Sequence, residues 1–262
     1  IGASEAIDAA LRATVDDGDE VLVPDPSYVS YAPCVELCGG KAVSVPCRAE
    51  DGFVLTPEAV ERAVTDRTKI LIFPYPNNPT GGIMTRAAVE ALIPVVLKHD
   101  LLILADEIYA ELTYGGSHVS AASFPALKDR VVLVSGFSKA FAMTGWRLGF
   151  VCAPPVVDDA VFKIHQYSIL CAPIMAQYAA VEALKDGFSD NFSAVEEMRD
   201  SYDRRRRFVL QSLKDTGLPC VEPKGAFYAF PSVAPSGLNG EDFAEKLLKE
   251  QKVALVPGSA FG

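Results

Sequence analysis

Three short runs in this chain are apolar from end to end: ILIF at 70–73, LLILA at 101–105 and VVLV at 131–134. A strand with one wet face alternates apolar and polar side chains, because successive Cβ atoms point to opposite sides. A run without alternation has no wet face, as in a parallel strand covered by helices above and below. Parallel neighbours also need crossovers of roughly a dozen residues, which amphipathic helices supply.

The rest of the chain fits that alternation. Helices are expected over 4–15, 29–38, 57–64 and 86–99, the third capped by Thr56 with Pro57 at its first position. Strands are expected over 20–23, 42–45, 69–73, 101–105, 131–134 and within RLGFVCAP at 147–154. Further helices follow over 156–167 and 174–184, then a long amphipathic stretch over 191–213, the segment GAFYAFP, a helix over 241–250 and a strand VALVP at 253–257. The fold class is α/β, a three-layer αβα arrangement with a mostly parallel sheet, joined to part of a smaller α+β domain. The long helix bridges the two, giving a large domain over 1–195 and a partial small domain over 196–262.

Half of the residues are hydrophobic, enough for a sizeable core. A net charge of -10, with 204–207 as the one dense basic cluster, disfavours nucleic acid as a partner, and those arginines read as a solvated or ion-paired helix face. No apolar run is long enough for a membrane span and no secretion signal stands at the start, so a cytosolic protein is expected. The six cysteines form no C-x-x-C pair and the three histidines have no metal-ligand spacing, so reduced core thiols and no metal are expected. No G-x-G-x-x-G follows a strand, which weakens a plain nucleotide-binding reading.

In an open sheet of this class ligands collect beyond the carboxyl ends of the strands. After LLILA comes Asp106-Glu107-Ile108-Tyr109, after ILIF comes PYPNNPTGG with Asn78, and after VVLV comes SGFSKAFAMTGWRLG with Lys139 and Arg147. A carboxylate at a buried strand tip is costly without a cation or strong donor to meet it. Taken singly, Asp106 also reads as a cap or turn residue, Asn78 as a turn former and Lys139 as a solvated surface group. Two cations among small residues at a strand end suit a flat anionic ligand.

PNNPTG, DEIY and SKAFAMTGWRLG, in that order and at those separations, resemble the pyridoxal-phosphate-dependent aminotransferases of class I/II, fold type I, over essentially the whole chain. The resemblance implies pyridoxal 5'-phosphate as cofactor, with Lys139 forming its Schiff base and shuttling the Cα proton, Asp106 partnering the pyridine nitrogen, and Tyr109 and Asn78 bonding the phenolic oxygen. Lys139, Asp106 and Tyr109 are thereby the expected catalytic residues. It also implies Tyr28 stacked on the ring face, and a phosphate cradle of Arg147, Ser135, Ser138 and the Gly2-Ala3-Ser4 start of the first helix. Many relatives carry a serine where this chain has Gly136, which leaves open whether Ser135 or Ser138 meets the phosphate. Trp146 is expected to pack the turn.

The implied activity is amino-group transfer from an L-amino acid to a 2-oxo acid, by a homodimer when full length. A carbon-sulfur β-lyase and a non-catalytic domain that senses the cofactor are the alternatives. Ile1 in place of Met and an end just after Pro257-Gly258 read as an internal piece of a longer protein. The resemblance places the substrate-carboxylate arginine, a closing segment and dimer-partner residues outside it. The isolated piece is therefore expected to hold a nearly complete cofactor site and to turn over poorly.

Overall fold

The apolar runs form the middle of one sheet. In a computed structural model covering residues 1–262, the strands are β1 (Glu20–Asp25), β2 (Lys41–Pro46), β3 (Thr68–Phe73), β4 (Leu102–Asp106), β5 (Val131–Gly136) and β6 (Gly149–Cys152). Their spatial order is β2-β1-β3-β4-β5-β6. All neighbours are parallel except β5 and β6, which are antiparallel.

The helices are α1 (Gly2–Thr14), α2 (Tyr31–Leu37), α3 (Pro57–Ala63), α4 (Arg86–Lys98), α5 (Pro155–Ser168), α6 (Ile174–Asp190), α7 (Ser193–Asp215) and α8 (Gly240–Gln251). The expected cap is present: Thr56 Oγ1 accepts from the Ala59 N–H at 3.2 Å. Helices α3 and α4 cover one face, where Val60, Val89, Leu92 and Val96 meet Leu71, Phe73, Ile103 and Ala105. Helices α1, α2 and α5 cover the other, where Ile7, Leu11, Val35 and Val161 meet Ile70, Ile72, Leu104, Val132 and Val134. Odd and even positions of β3 and β4 thus feed different cores, which is why neither strand shows alternation. Each fully buried aliphatic side chain contributes about 1.5–3 kcal/mol.

The last part of the chain is built differently. The expected strand at 253–257 does not form; these residues are mostly exposed and without a ladder partner, and a strand is stable only as a member of a sheet. GAFYAFP makes only isolated bridges, Thr113 with Gly225 and Cys220 with Pro231. A domain division at 195/196 would fall inside α7. Half of the arginine cluster is ion-paired: Arg206 meets Asp203 and Glu222, both at 2.7 Å, and Arg207 meets Asp203 at 3.2 Å. All six cysteines are free, but Cys152 and Cys171 are exposed and not in the core, Cys152 because it lies on the solvent side of edge strand β6. No helix is long and apolar enough to cross a membrane.

Candidate active site

The period of two along β4 decides where the two adjacent acids go. Ala105 faces α3 and α4, so Asp106 turns toward α1 and α2 while Glu107 turns back to the opposite face. Each is almost fully buried, at 6% and 4% exposure. Glu107 is satisfied on its own side by His118 Nε2, Ser120 Oγ and the Ala121 N–H, all at 2.9 Å. Asp106 accepts from the Tyr31 hydroxyl at 2.7 Å and from the Ile108 N–H at 3.1 Å.

Asp106 opens into a cavity of about 250 Å³ at the carboxyl ends of the strands, shared with Lys139, Arg147, Asn78, Tyr28 and Tyr109. Residues from beyond β1, β3, β4 and β5 thus converge beside the point where the strand order reverses. Ala3, Ser4 and Ser138 also line it. Gly2 stands behind them, against the Arg147 guanidinium. The start of α1 reaches this position because Gly149 has no Cβ; one there would come within 2.6 Å of the Ala3 nitrogen.

Ser135 is not brought to the cavity. Alternation along β5 puts it on the Glu107 face, where its hydroxyl donates to the Glu107 carbonyl at 3.4 Å and lines a separate depression. Trp146 is half exposed and does not reach the cavity either.

The walls also include groups that the sequence reading missed. Tyr31 lies three positions beyond Tyr28, at the start of α2, a closeness that could have flagged it. Tyr228, whose hydroxyl is 2.6 Å from that of Tyr109, has no local signal, because only the fold brings GAFYAFP here. Thr144 adds a rim position, its hydroxyl bonded to the Ser138 carbonyl at 2.9 Å.

The electrostatics oppose one another across the cavity. Burial raises the Asp106 pKa; the Tyr31 and Ile108 donors resist this, nearby Glu107 adds to it, and Lys139 opposes it. Lys139 is shifted down, first by burial, with Arg147 pushing the same way and Asp106 resisting. Its ammonium lies 5.4 Å from the Tyr109 ring centre and 5.3 Å from that of Phe227. Burial also keeps the Tyr109 and Tyr228 hydroxyls protonated.

Two further observations show room for a polar ligand. The Asn78 side-chain oxygen is buried without a partner, a state costing about 1–3 kcal/mol if nothing meets it. Arg147 is held only by backbone carbonyls, Thr144 at 3.0 Å and Ile1 at 3.3 Å. Its charge therefore faces the cavity without a carboxylate.

The family model described as "Aminotransferase class I and II" matches residues 1–262. The chain belongs to the class I and II aminotransferases. Members of that family are pyridoxal-phosphate-dependent transferases. Among curated relatives, the aspartate aminotransferase of Pyrococcus abyssi is 46% identical over 263 residues, covering 100% of this chain and 67% of the relative. The aromatic-amino-acid aminotransferase 2 of Thermococcus litoralis is 45% identical with the same coverage. Among solved structures, the aromatic aminotransferase of Pyrococcus horikoshii superposes with a TM-score of 0.96 at 48% identity, covering 100% of this chain and 70% of that one. This aminotransferase chain thus spans about two thirds of its relatives' length, and the αβα architecture read from its apolar runs is theirs.

Proposed function

We propose that the protein carrying this chain transfers an amino group from an L-amino acid to a 2-oxo acid, with Lys139 as the covalent attachment point for pyridoxal phosphate. The observation that carries this reading is the convergence of a buried carboxylate, Asp106, and an amine of lowered pKa, Lys139, in one small cavity. Pyridoxal phosphate, when bound, supplies an aldehyde that captures amines and a ring that withdraws electrons from the substrate Cα.

The residues fit that group. Asp106 would hold the pyridine nitrogen, an ion pair that relieves its burial. Asn78, whose amide can present either end, and Tyr109 would hold the phenolic oxygen, with Tyr28 against the ring face. Arg147, Ser138 and the free N–H groups at the start of α1 would hold the phosphate, with Gly2 allowing Arg147 close. Lys139, losing its proton more readily than an ordinary lysine, is suited to act as nucleophile and then to move the proton at the substrate Cα.

Several wider assignments belong to the same reading. The large domain is taken as 1–195 and the small one as 196–262. A homodimer is supported by the apolar side chains exposed along α5, α6 and the connection between them, among them Tyr167 at 85%, Leu170 at 74% and Met175 at 72%. A cytosolic location is supported by six free thiols. The relatives named above are aminotransferases, which favours amino transfer over the lyase and sensor readings.

The test is to express the full-length gene and look for a visible cofactor band that borohydride bleaches and individual amino acids shift. Lys139→Ala should abolish the bleaching. A band that borohydride bleaches equally in that variant would overturn the assignment.

A further inference from the structure

Tyr31 has no part in the roles above, yet it touches two of them. Its side chain is buried against the core formed by α1 and α2, and its hydroxyl reaches Asp106 Oδ2 at 2.7 Å. Its ring meets that of Tyr28 edge-on, with centres 5.6 Å apart at 81°. Its backbone N–H donates to the Tyr28 carbonyl at 3.2 Å, which fixes the turn entering α2.

We infer that Tyr31 is a positioning residue: its hydroxyl sets the basicity and aim of Asp106 while its ring braces Tyr28. This rests on the cavity holding pyridoxal phosphate as proposed above. Asp106 receives one donor on each oxygen, Tyr31 on Oδ2 and Ile108 N–H on Oδ1, which leaves each oxygen an acceptor site, and the carboxylate lines the cavity. The charged groups around it are Glu107, the next residue just past β4, and Lys139 across the cavity. Burial holds the Tyr31 proton on its phenol, so it remains a donor. With that donor gone, Asp106 becomes a stronger base and draws toward itself the proton it shares with the ring nitrogen.

The experiment loads the full-length protein with pyridoxal phosphate carrying 15N in the ring and records the nitrogen resonance at neutral pH. Tyr31→Phe keeps the ring and loses the hydroxyl. The expected result is a resonance displaced toward that of a neutral pyridine, the proton's partition changing about tenfold, the size expected for a hydrogen bond to a charged group. The visible circular dichroism of the bound cofactor, which reports the ring-face contact, should stay as in the parent.

Tyr31→Leu should change both signals. A Tyr31→Phe resonance coincident with the parent's overturns the inference. If that variant takes up no cofactor, 3-fluorotyrosine at position 31 decides. This stronger donor must move the resonance toward a protonated pyridine, and an unmoved resonance overturns the inference. A parent protein showing only the free-cofactor resonance sinks the reading of the cavity, and this inference with it.

Discussion

The sheet and the C-terminal stretch reach the same cavity by different means. Strands β3 and β4 are buried on both faces, and the residues that face the chemistry are simply those that come next. Beyond α7 hardly any residue is buried, yet Tyr228 arrives at the cavity and Phe227 beside Lys139 all the same. They are delivered by a backbone hook: Lys224 N–H and Gly225 N–H donate to the Gly81 carbonyl at 2.8 and 3.0 Å, and Tyr114 N–H donates to the Lys224 carbonyl at 2.8 Å. Arg206 holds the hook from behind, donating to the Pro223 carbonyl at 3.1 Å. One region places its groups by hydrophobic burial and the other by a few directed hydrogen bonds.

The comparison breaks most visibly in stability. Leu71→Ala, in the middle of the sheet, should destabilise the protein by about 2–5 kcal/mol. Leu248→Ala, on the half-exposed face of α8, should cost within about 0.5 kcal/mol. Denaturant unfolding of the two full-length variants measures the contrast, and similar losses would mean that the C-terminal stretch shares the core.

Next in size is Arg147→Gln, which removes the cavity cation held only by carbonyls. Charge-assisted bonds of this kind are worth about 1.5–3 kcal/mol, so cofactor affinity should fall about 10–100-fold with little change in unfolding. An unchanged affinity in an equilibrium titration would move the phosphate elsewhere.

Gly225→Ala tests the hook itself. A Cβ there would lie 2.5 Å from the Pro76 Cβ, so the loop must shift, at a cost of about 1–3 kcal/mol. Turnover should fall as Tyr228 loses its place, while the sheet's hydrogen-exchange protection stays as in the parent. Loss of that protection would show the two regions to be one cooperative unit.

The same contrast explains what the sequence made legible. The sheet was readable because a doubly covered strand writes its environment into a run of apolar letters, as ILIF and VVLV do. Asp106, Asn78 and Lys139 were readable because the first directly follows such a run and the other two stand in the loops just beyond one. Ser135 was misplaced because side-chain direction depends on strand register, and β5 begins where its burial pattern, not its motif, dictates. Tyr31 was passed over because a buried tyrosine beginning a helix looks like core until its hydroxyl's partner, 75 positions away, is known. Tyr228 and the failure of 253–257 to form a strand have the same cause: both depend on partners distant in sequence.

The smallest effect bears on the cost of holding a functional amine among buried groups. Burial lowers the Lys139 pKa below its ordinary value of 10.5, Arg147 adding to the shift and Asp106 opposing it. Between the folded value and 10.5 the unfolded chain therefore binds more protons than the folded one, and stability rises with pH through that window. Below the window the amine is charged in both states and folding bears the cost of desolvating it. Lys139→Met removes that cost, so the cofactor-free full-length variant should melt above its parent at pH 6. The advantage should shrink as pH climbs toward 10.5, where the parent loses the charge as well. A parent that melts higher at pH 6, or a gap that ignores pH, would show that the Tyr109 and Phe227 rings and Asp106 already offset the lost hydration of Lys139.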